Sequence, residues 1–73
     1  MTIEQAAAIL ARMYGGAGLD EKVVQIHLFG IKYAEDIQHM SAREIAERAD
    51  IPKSYATEIN KGKRLARFVR ALA

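Results

Sequence analysis

The chain contains no cysteine, no tryptophan and a single proline, Pro52. The absence of cysteine excludes disulfides and cysteine-based zinc sites, and it fits the reducing cytoplasm, where we expect the protein to act. Its two histidines, His27 and His39, have no carboxylate at ligand spacing, so neither a metal site nor another cofactor is expected.

A long apolar run is also missing. Gln25, His27 and Lys32 interrupt the most apolar stretch, which falls far short of the roughly 20 residues that cross a bilayer. The N-terminus carries Glu4 and shows no basic segment followed by an apolar one, as a signal peptide would. We therefore expect no membrane partner.

No segment alternates apolar and polar residues with the period of a strand, and no hairpin signal occurs. The chain has 73 residues, of which 51% are hydrophobic, enough for one small core. These features predict an all-α fold: a single domain over residues 1–73, built as a compact bundle of four or five helices.

The N-terminal half predicts two helices. Thr2 and Gln5 have the spacing of a capping box and begin the first helix, which ends in the glycine-rich loop at 15–18. Asp20 is expected to cap a second helix over 21–38, with a kink at Gly30. This second helix is apolar nearly all round, so it lies either in the centre of the bundle or in a dimer interface. The apolar side chains that form a candidate dimer patch are Val24, Leu28 and Phe29.

The C-terminal residues predict a last helix over 63–72. Its apolar side chains recur at helical spacing, and we expect the core to bury them. They are Leu65, Phe68, Val69 and Leu72.

The most informative stretch is 41–62, which has the spacing of two short helices joined by a tight turn. Ser41 caps the first helix over 41–49, with Glu44 completing a capping box. Asp50 suits the turn, and Pro52 fits the first turn of a second helix over 52–61. Gly62 is expected to stop or bend that helix.

Residues 41–62 resemble the helix-turn-helix of phage repressors, Cro-like proteins and bacterial repressors of the lactose type. The residues that carry the resemblance are a small residue, a turn residue, an aliphatic neighbour and two inward positions: Ala46, Asp50, Ile51, Ala56 and Ile59. The family usually has Gly in the turn, and Asp50 replaces it here, a residue type that tolerates positive φ. The sequence Ile-Asn-Lys-Gly-Lys-Arg at 59–64 is similar to the end of a recognition helix in that group, and the phrase His-Leu-Phe-Gly-Ile-Lys-Tyr-Ala resembles small bacterial helix-turn-helix-like proteins.

The resemblance implies sequence-specific binding of double-stranded DNA, with the second helix in the major groove. The outward residues of that helix are the candidates for base reading: Lys53, Ser54, Thr57, Glu58 and Lys61. Residues on the first helix, at the edge of the core and beyond the second helix are the candidates for phosphate contacts: Arg43, Tyr55, Lys63, Arg64, Arg67 and Arg70. Glu58 is ambiguous, because an acid repels phosphate unless it pairs with Lys61 or accepts from a cytosine.

Charge supports this interpretation. Residues 1–40 contain three basic and five acidic side chains, whereas residues 41–73 contain eight basic and four acidic side chains. A basic C-terminal part is typical of a polyanion binder. We expect a small bacterial or phage transcriptional regulator. We also expect a homodimer, since one helix-turn-helix buries little DNA surface.

The alternative is a helix-turn-helix-like module that binds another protein and not DNA. The acidic N-terminal half and Glu58 favour it. An enzyme is not expected, because Ser41 and Ser54 have capping explanations and no nucleophile motif surrounds them. The glycines at 15–18 lack the Lys-Ser/Thr of a P-loop, and no small-molecule ligand is indicated.

Overall fold

The computed structural model of the protein describes residues 1–72. Within these residues the chain forms four α-helices and no strand, so the predicted all-α bundle containing a helix-turn-helix is confirmed. The helices are α1 (Ile3–Gly15), α2 (Lys22–Lys32), α3 (Ala42–Arg48) and α4 (Ala56–Leu65).

Helix α1 begins where the capping box predicted it. The hydroxyl of Thr2 accepts a hydrogen bond from the backbone N–H of Gln5 at 3.1 Å, and the Gln5 side chain accepts one from the Thr2 N–H at 2.8 Å. The two bonds satisfy donors that the first turn leaves free. The helix ends at Gly15, and its inner face packs into the core through Ala6, Ala7 and Leu10.

All four helices and the two connections before and after α3 supply side chains to one core. Its largest members are completely buried: Leu10, Ile26, Phe29, Ile37, Ile45 and Ile59. Since Phe29 is fully buried within the monomer, it cannot belong to a dimer patch, and the predicted patch is wrong at this residue.

The second predicted helix is shorter than expected. Asp20 caps nothing; it lies inside a 3₁₀ turn, Leu19–Glu21, which precedes α2. Helix α2 ends at Lys32 rather than near 38, and residues 33–39 form turns. In these turns the Ile37 N–H donates to the Tyr33 carbonyl at 3.0 Å, and the Ile37 side chain closes the core beneath α3.

The two glycines predicted to interrupt helices do not do so. Gly30 lies within α2 and Gly62 within α4, and both are buried. A Cβ atom on Gly30 would lie 2.6 Å from the carbonyl oxygen of Ile59. Because real Cβ atoms do not come so close to a carbonyl oxygen, these positions need glycine for helix packing, and the predictions of a kink and a stop are wrong.

The prediction of a separate C-terminal helix over 63–72 is also wrong. Helix α4 runs on past Gly62 to Leu65, and turns follow over 66–68. The side chains expected in the core are exposed: 41% for Leu65, 79% for Phe68, 45% for Val69 and all of Leu72. The inner face of α4 is already filled at Ile59 and Gly62, so no space remains in the core for them.

No helix formed by residues 1–72 is both long enough and apolar enough to cross a membrane.

Candidate nucleic-acid interface

Helix α3 is the first helix of the helix-turn-helix. The Ser41 hydroxyl accepts a hydrogen bond from the Glu44 N–H at 3.2 Å, which caps the helix as predicted. The Glu44 carboxylate does not complete the box; it accepts from Arg48 at 3.0 Å. Three small or aliphatic side chains bury the inner face of this helix: Ala42, Ile45 and Ala46.

The turn after α3 adopts the left-handed conformation at a single residue, Asp50, with φ of 60°. It is the only non-glycine residue with positive φ among residues 1–72. The next residue, Ile51, donates its N–H to the Ala46 carbonyl at 3.1 Å and buries its side chain. Asp50 therefore takes the place that glycine usually fills in this motif, as the sequence predicted.

The second helix begins after Pro52, one residue later than the predicted start. Pro52 lies before the helical residues, and its carbonyl accepts from the Tyr55 N–H at 3.0 Å. A 3₁₀ turn, Lys53–Tyr55, leads into α4. Ile59 is fully buried and Ala56 is half-buried, so both predicted inward positions face the core.

Four of the five predicted base-reading side chains are exposed on the outer side of this second helix: Lys53, Ser54, Thr57 and Lys61. The Lys53 ammonium lies 3.7 Å from the Glu47 carboxylate, and Lys61 lies 3.4 Å from Glu58. Both lysine side chains are about half exposed, so these are weak surface pairs that a stronger anionic partner can replace.

Glu58 is the fifth of that set, and its carboxylate turns toward α2. Its Oε1 lies 2.6 Å from Nε2 of His27, and only 22% of its side chain is exposed. The hydrogen bond from His27, and then the Lys61 charge, hold the pKa of the Glu58 carboxyl below its usual value. The predicted pairing with Lys61 is present, and the His27 partner adds a bond between α2 and α4.

Tyr55 lies at the edge of the core, as predicted. Its ring packs against that of Tyr14 with centroids 5.8 Å apart. Hydrogen bonding with the Tyr14 side chain raises the pKa of the Tyr55 phenol. The Lys22 ammonium lies 4.4 Å above the Tyr14 ring and donates to the Tyr14 carbonyl, so it joins α2 to α1. The packing of Tyr14 on Tyr55 joins α1 to the start of the second helix.

Among the predicted phosphate-contacting cations, Arg43 differs from the others. Its guanidinium lies 3.6 Å from the carboxylate of Glu47, which also forms an ion pair with Lys53 across the turn. Arg48, by contrast, pairs with Glu44 within α3 and also with Glu4 of α1. The pair with Glu4 connects α3 to α1, and the Lys53–Glu47 pair connects α3 to the turn that follows it.

The remaining predicted cations form no ion pair in the described part of the chain, and Glu35 and Asp36 line the same cavity as Lys63, Arg67 and Arg70. Within residues 1–72, no acidic side chain lies at ion-pair distance from Lys63, Arg64, Arg67 or Arg70. The Arg67 guanidinium lies 5.7 Å from the Phe68 ring centre. The end of α4 and the segment after it therefore form a positive surface beside the outer face of the second helix.

The sequence interpretation passed over one residue of this surface. Asn60 is exposed on α4 and lines a shallow depression together with Thr57, Lys63 and Arg64. Its spacing could have indicated this position: Asn60 lies three residues after Thr57 and four before Arg64, and residues at these spacings are neighbours on a helix surface.

Among residues 1–72, no three His, Asp or Glu side chains come together in a way that could hold a metal ion. The interface thus offers hydrogen-bond donors, positive charge and one shielded carboxylate. Such a surface can bind an extended anion without covalent chemistry.

The chain belongs to the HTH-like domain family, whose model matches residues 2–72. Neither a curated protein nor a solved structure matches it.

Proposed function

We propose that this member of the HTH-like domain family binds double-stranded DNA sequence-specifically, as a small bacterial or phage transcriptional regulator of the repressor or Cro type. Its place of action would be the cytoplasm, and its role would be binding rather than catalysis. The observation that carries the proposal is the difference between the inner and the outer side of α4. Ile59 and Gly62 fix its inner side, while its outer side and its end present donors and unpaired cations.

In the proposed complex, the second helix lies in the major groove with Lys53, Ser54 and Thr57 nearest the base edges. Lysine donates to guanine O6 and N7, and hydroxyls bond to either bases or phosphates. Lys61 follows one turn later on the same side. The surface pairs of Lys53 and Lys61 with Glu47 and Glu58 are weak enough to exchange for DNA contacts.

The positive surface at the end of α4 supplies the phosphate contacts that orient the helix. Arg64, Arg67 and Arg70 are exposed and have no acidic partner within residues 1–72. Phosphate contacts of this kind give affinity and position, and they carry no base information.

Glu58 supports the proposal less than the cations do, but it does not oppose it. A free carboxylate at this place would repel phosphate. Its hydrogen bond with His27 and its pairing with Lys61 reduce that repulsion. We propose that Glu58 mainly holds α4 against α2, with cytosine reading as the alternative role.

A homodimer would let two copies read two half-sites about 34 Å apart. Val24 is 45% exposed and Leu28 is half-buried, so these members of the predicted patch remain available for it. Sedimentation equilibrium with and without duplex DNA tests this part. A monomer under both conditions would contradict it.

The main experiment is a binding titration against a pool of random duplexes at several salt concentrations, followed by selection of preferred sites. We expect the logarithm of affinity to fall with the logarithm of salt by about 0.9 per phosphate contacted. Selected duplexes should share a motif. Absence of salt-sensitive binding at physiological ionic strength would overturn the proposal.

The second candidate function is a protein-interaction module, and one observation favours it. Phe68 and Leu72 are almost fully exposed beside the positive surface, which is unusual for large apolar side chains. If no duplex binds, the same surface becomes the place to look for an acidic protein partner.

A further inference from the structure

The shallow depression on α4 is lined by hydrogen-bond donors and contains no carboxylate. The residues that line it are Thr57, Asn60, Lys63 and Arg64, each of which carries a side-chain donor. All four come from consecutive turns of one helix, so their relative positions are fixed by the helix itself.

Two acidic side chains near this helix are engaged elsewhere. Glu58 points to His27, and Glu47 forms ion pairs with Arg43 and Lys53. Lys63 and Arg64 have no ion-pair partner within residues 1–72, so the depression is electropositive.

Asn60 has no evident structural role in this position. Asparagine is a poor helix former, because its side chain competes for backbone groups in other conformations. The Asn60 side chain makes no hydrogen bond to any other described residue, so nothing in residues 1–72 compensates for its presence. Lys63, by contrast, is half-buried and lines this depression as well as the cavity formed with residues 31–38.

We infer that this depression binds one phosphodiester of the DNA backbone, with Asn60, Lys63 and Arg64 as the donors and Thr57 at the edge nearest the bases. A phosphate is an anion that offers only acceptors, which matches a depression that two cations, Lys63 and Arg64, line without any carboxylate. The inference depends on the proposed function, and it gives Asn60 the role of setting the register of α4 in the groove.

The test is Asn60→Ala, measured on a selected duplex and on an unrelated duplex across a salt series. We expect about a tenfold loss of affinity on both, as a hydrogen bond to a charged group is lost. The salt slope should stay unchanged because asparagine is neutral. Arg64→Ala should lower the slope by about 0.9. Arg12→Ala, which removes an exposed cation from α1, is the matched control and should change neither.

Two results with the variant would overturn the inference. One is wild-type affinity for Asn60→Ala. The other is a changed base preference in a repeated selection, which would make Asn60 a base reader. A phosphodiester contact requires that the selected motif stays the same.

A second measurement separates failure of this site from failure of the proposed function. The side-chain amide resonance of Asn60 is followed by NMR during titration with duplex DNA and, separately, with inorganic phosphate. A shift with both supports the inference. If no duplex binds but phosphate shifts the amide, the phosphate site stands and the DNA function fails. If duplex binds to saturation without moving the Asn60 amide, the site is wrong. If no duplex binds and phosphate does not move the amide, both proposals fail.

Discussion

Gly30 of α2 and Gly62 of α4 meet backbone to backbone where the two helices cross. A Cβ atom on Gly62 would lie 2.5 Å from the carbonyl oxygen of His27 and 2.9 Å from the Cα of Gly30. The atoms in the way belong to the backbone, so no rotation of a side chain relieves the clash. Helix α4 is therefore held against α2 at a distance that only a glycine pair permits.

Gly62→Ala should destabilise the fold by about 2 kcal/mol, because forced separation of packed helices costs about 1–3 kcal/mol and outweighs the higher helix propensity of alanine. Gly30→Ala should do the same. Gly15→Ala is the control: a Cβ there meets nothing within 4 Å, so stability should stay level or rise by up to about 1 kcal/mol. Urea unfolding followed by circular dichroism measures all three. Equal stability of the Gly15 and Gly62 variants would contradict the close packing.

The left-handed turn residue gives a second prediction. Asp50→Gly should stabilise the protein by about 0.5 kcal/mol, since glycine adopts positive φ without steric penalty. Asp50→Ala should lose about 1 kcal/mol and Asp50→Val about 2 kcal/mol, in the order of their left-handed penalties. Thermal unfolding of the three variants checks this order, and an alanine variant as stable as the glycine variant would show that the turn does not require positive φ.

The bond between His27 and Glu58 makes stability depend on pH in the acid range. The pKa of Glu58 is lowered in the folded protein, so the unfolded chain takes up the proton more readily. Stability from this carboxylate is then fully present above its unfolded pKa, near 4.5, and is lost as the pH falls through the folded value. The free energy of unfolding of the wild type should therefore approach that of Glu58→Gln as the pH drops from 6 to 3.

His27→Ala tests the cause of that dependence. Without the imidazole donor, the largest contribution to the lowered pKa of Glu58 is gone, and the acid-range slope should flatten. A full wild-type slope in His27→Ala would assign the effect to Lys61 instead.

Base reading and phosphate contact separate by their effect on sequence preference. Lys61→Ala should cost about 1–3 kcal/mol on a selected duplex and much less on an unrelated one, as for a residue at a base edge. Arg67→Ala should weaken both alike and flatten the salt slope. Fluorescence anisotropy with paired duplexes measures the two losses. A uniform loss for Lys61→Ala would move this lysine to the phosphate contacts.

The helix-turn-helix could be predicted because its signals are local. The Ser41 cap, the turn at Asp50 and the inward pair Ala56 and Ile59 all follow from spacing within about twenty residues. The same holds for the capping box of Thr2 and Gln5. Each of these depends on backbone groups a few residues away, so the amino-acid sequence determines them directly.

Features that depend on distant partners could not be predicted in this way. A glycine in a helix suggests a break, and only the crossing of α2 with α4 reveals that Gly30 and Gly62 serve packing. His27 and Glu58 lie 31 residues apart, so no spacing rule connects them. The helical spacing of Phe68 predicted a buried side chain, but Ile59 already fills the inner face of α4 and Phe68 is exposed.

The glycine crossing also determines which changes this scaffold tolerates during evolution. Since α4 is held by its glycine contact, by the buried Ile59 and by Glu58, its exposed side chains at 57 and 61 are not needed to keep it in place. We expect positions 57 and 61 to accept substitutions that positions 30 and 62 do not. Under the proposed function, exchange of a few surface residues would give the same framework a new binding preference.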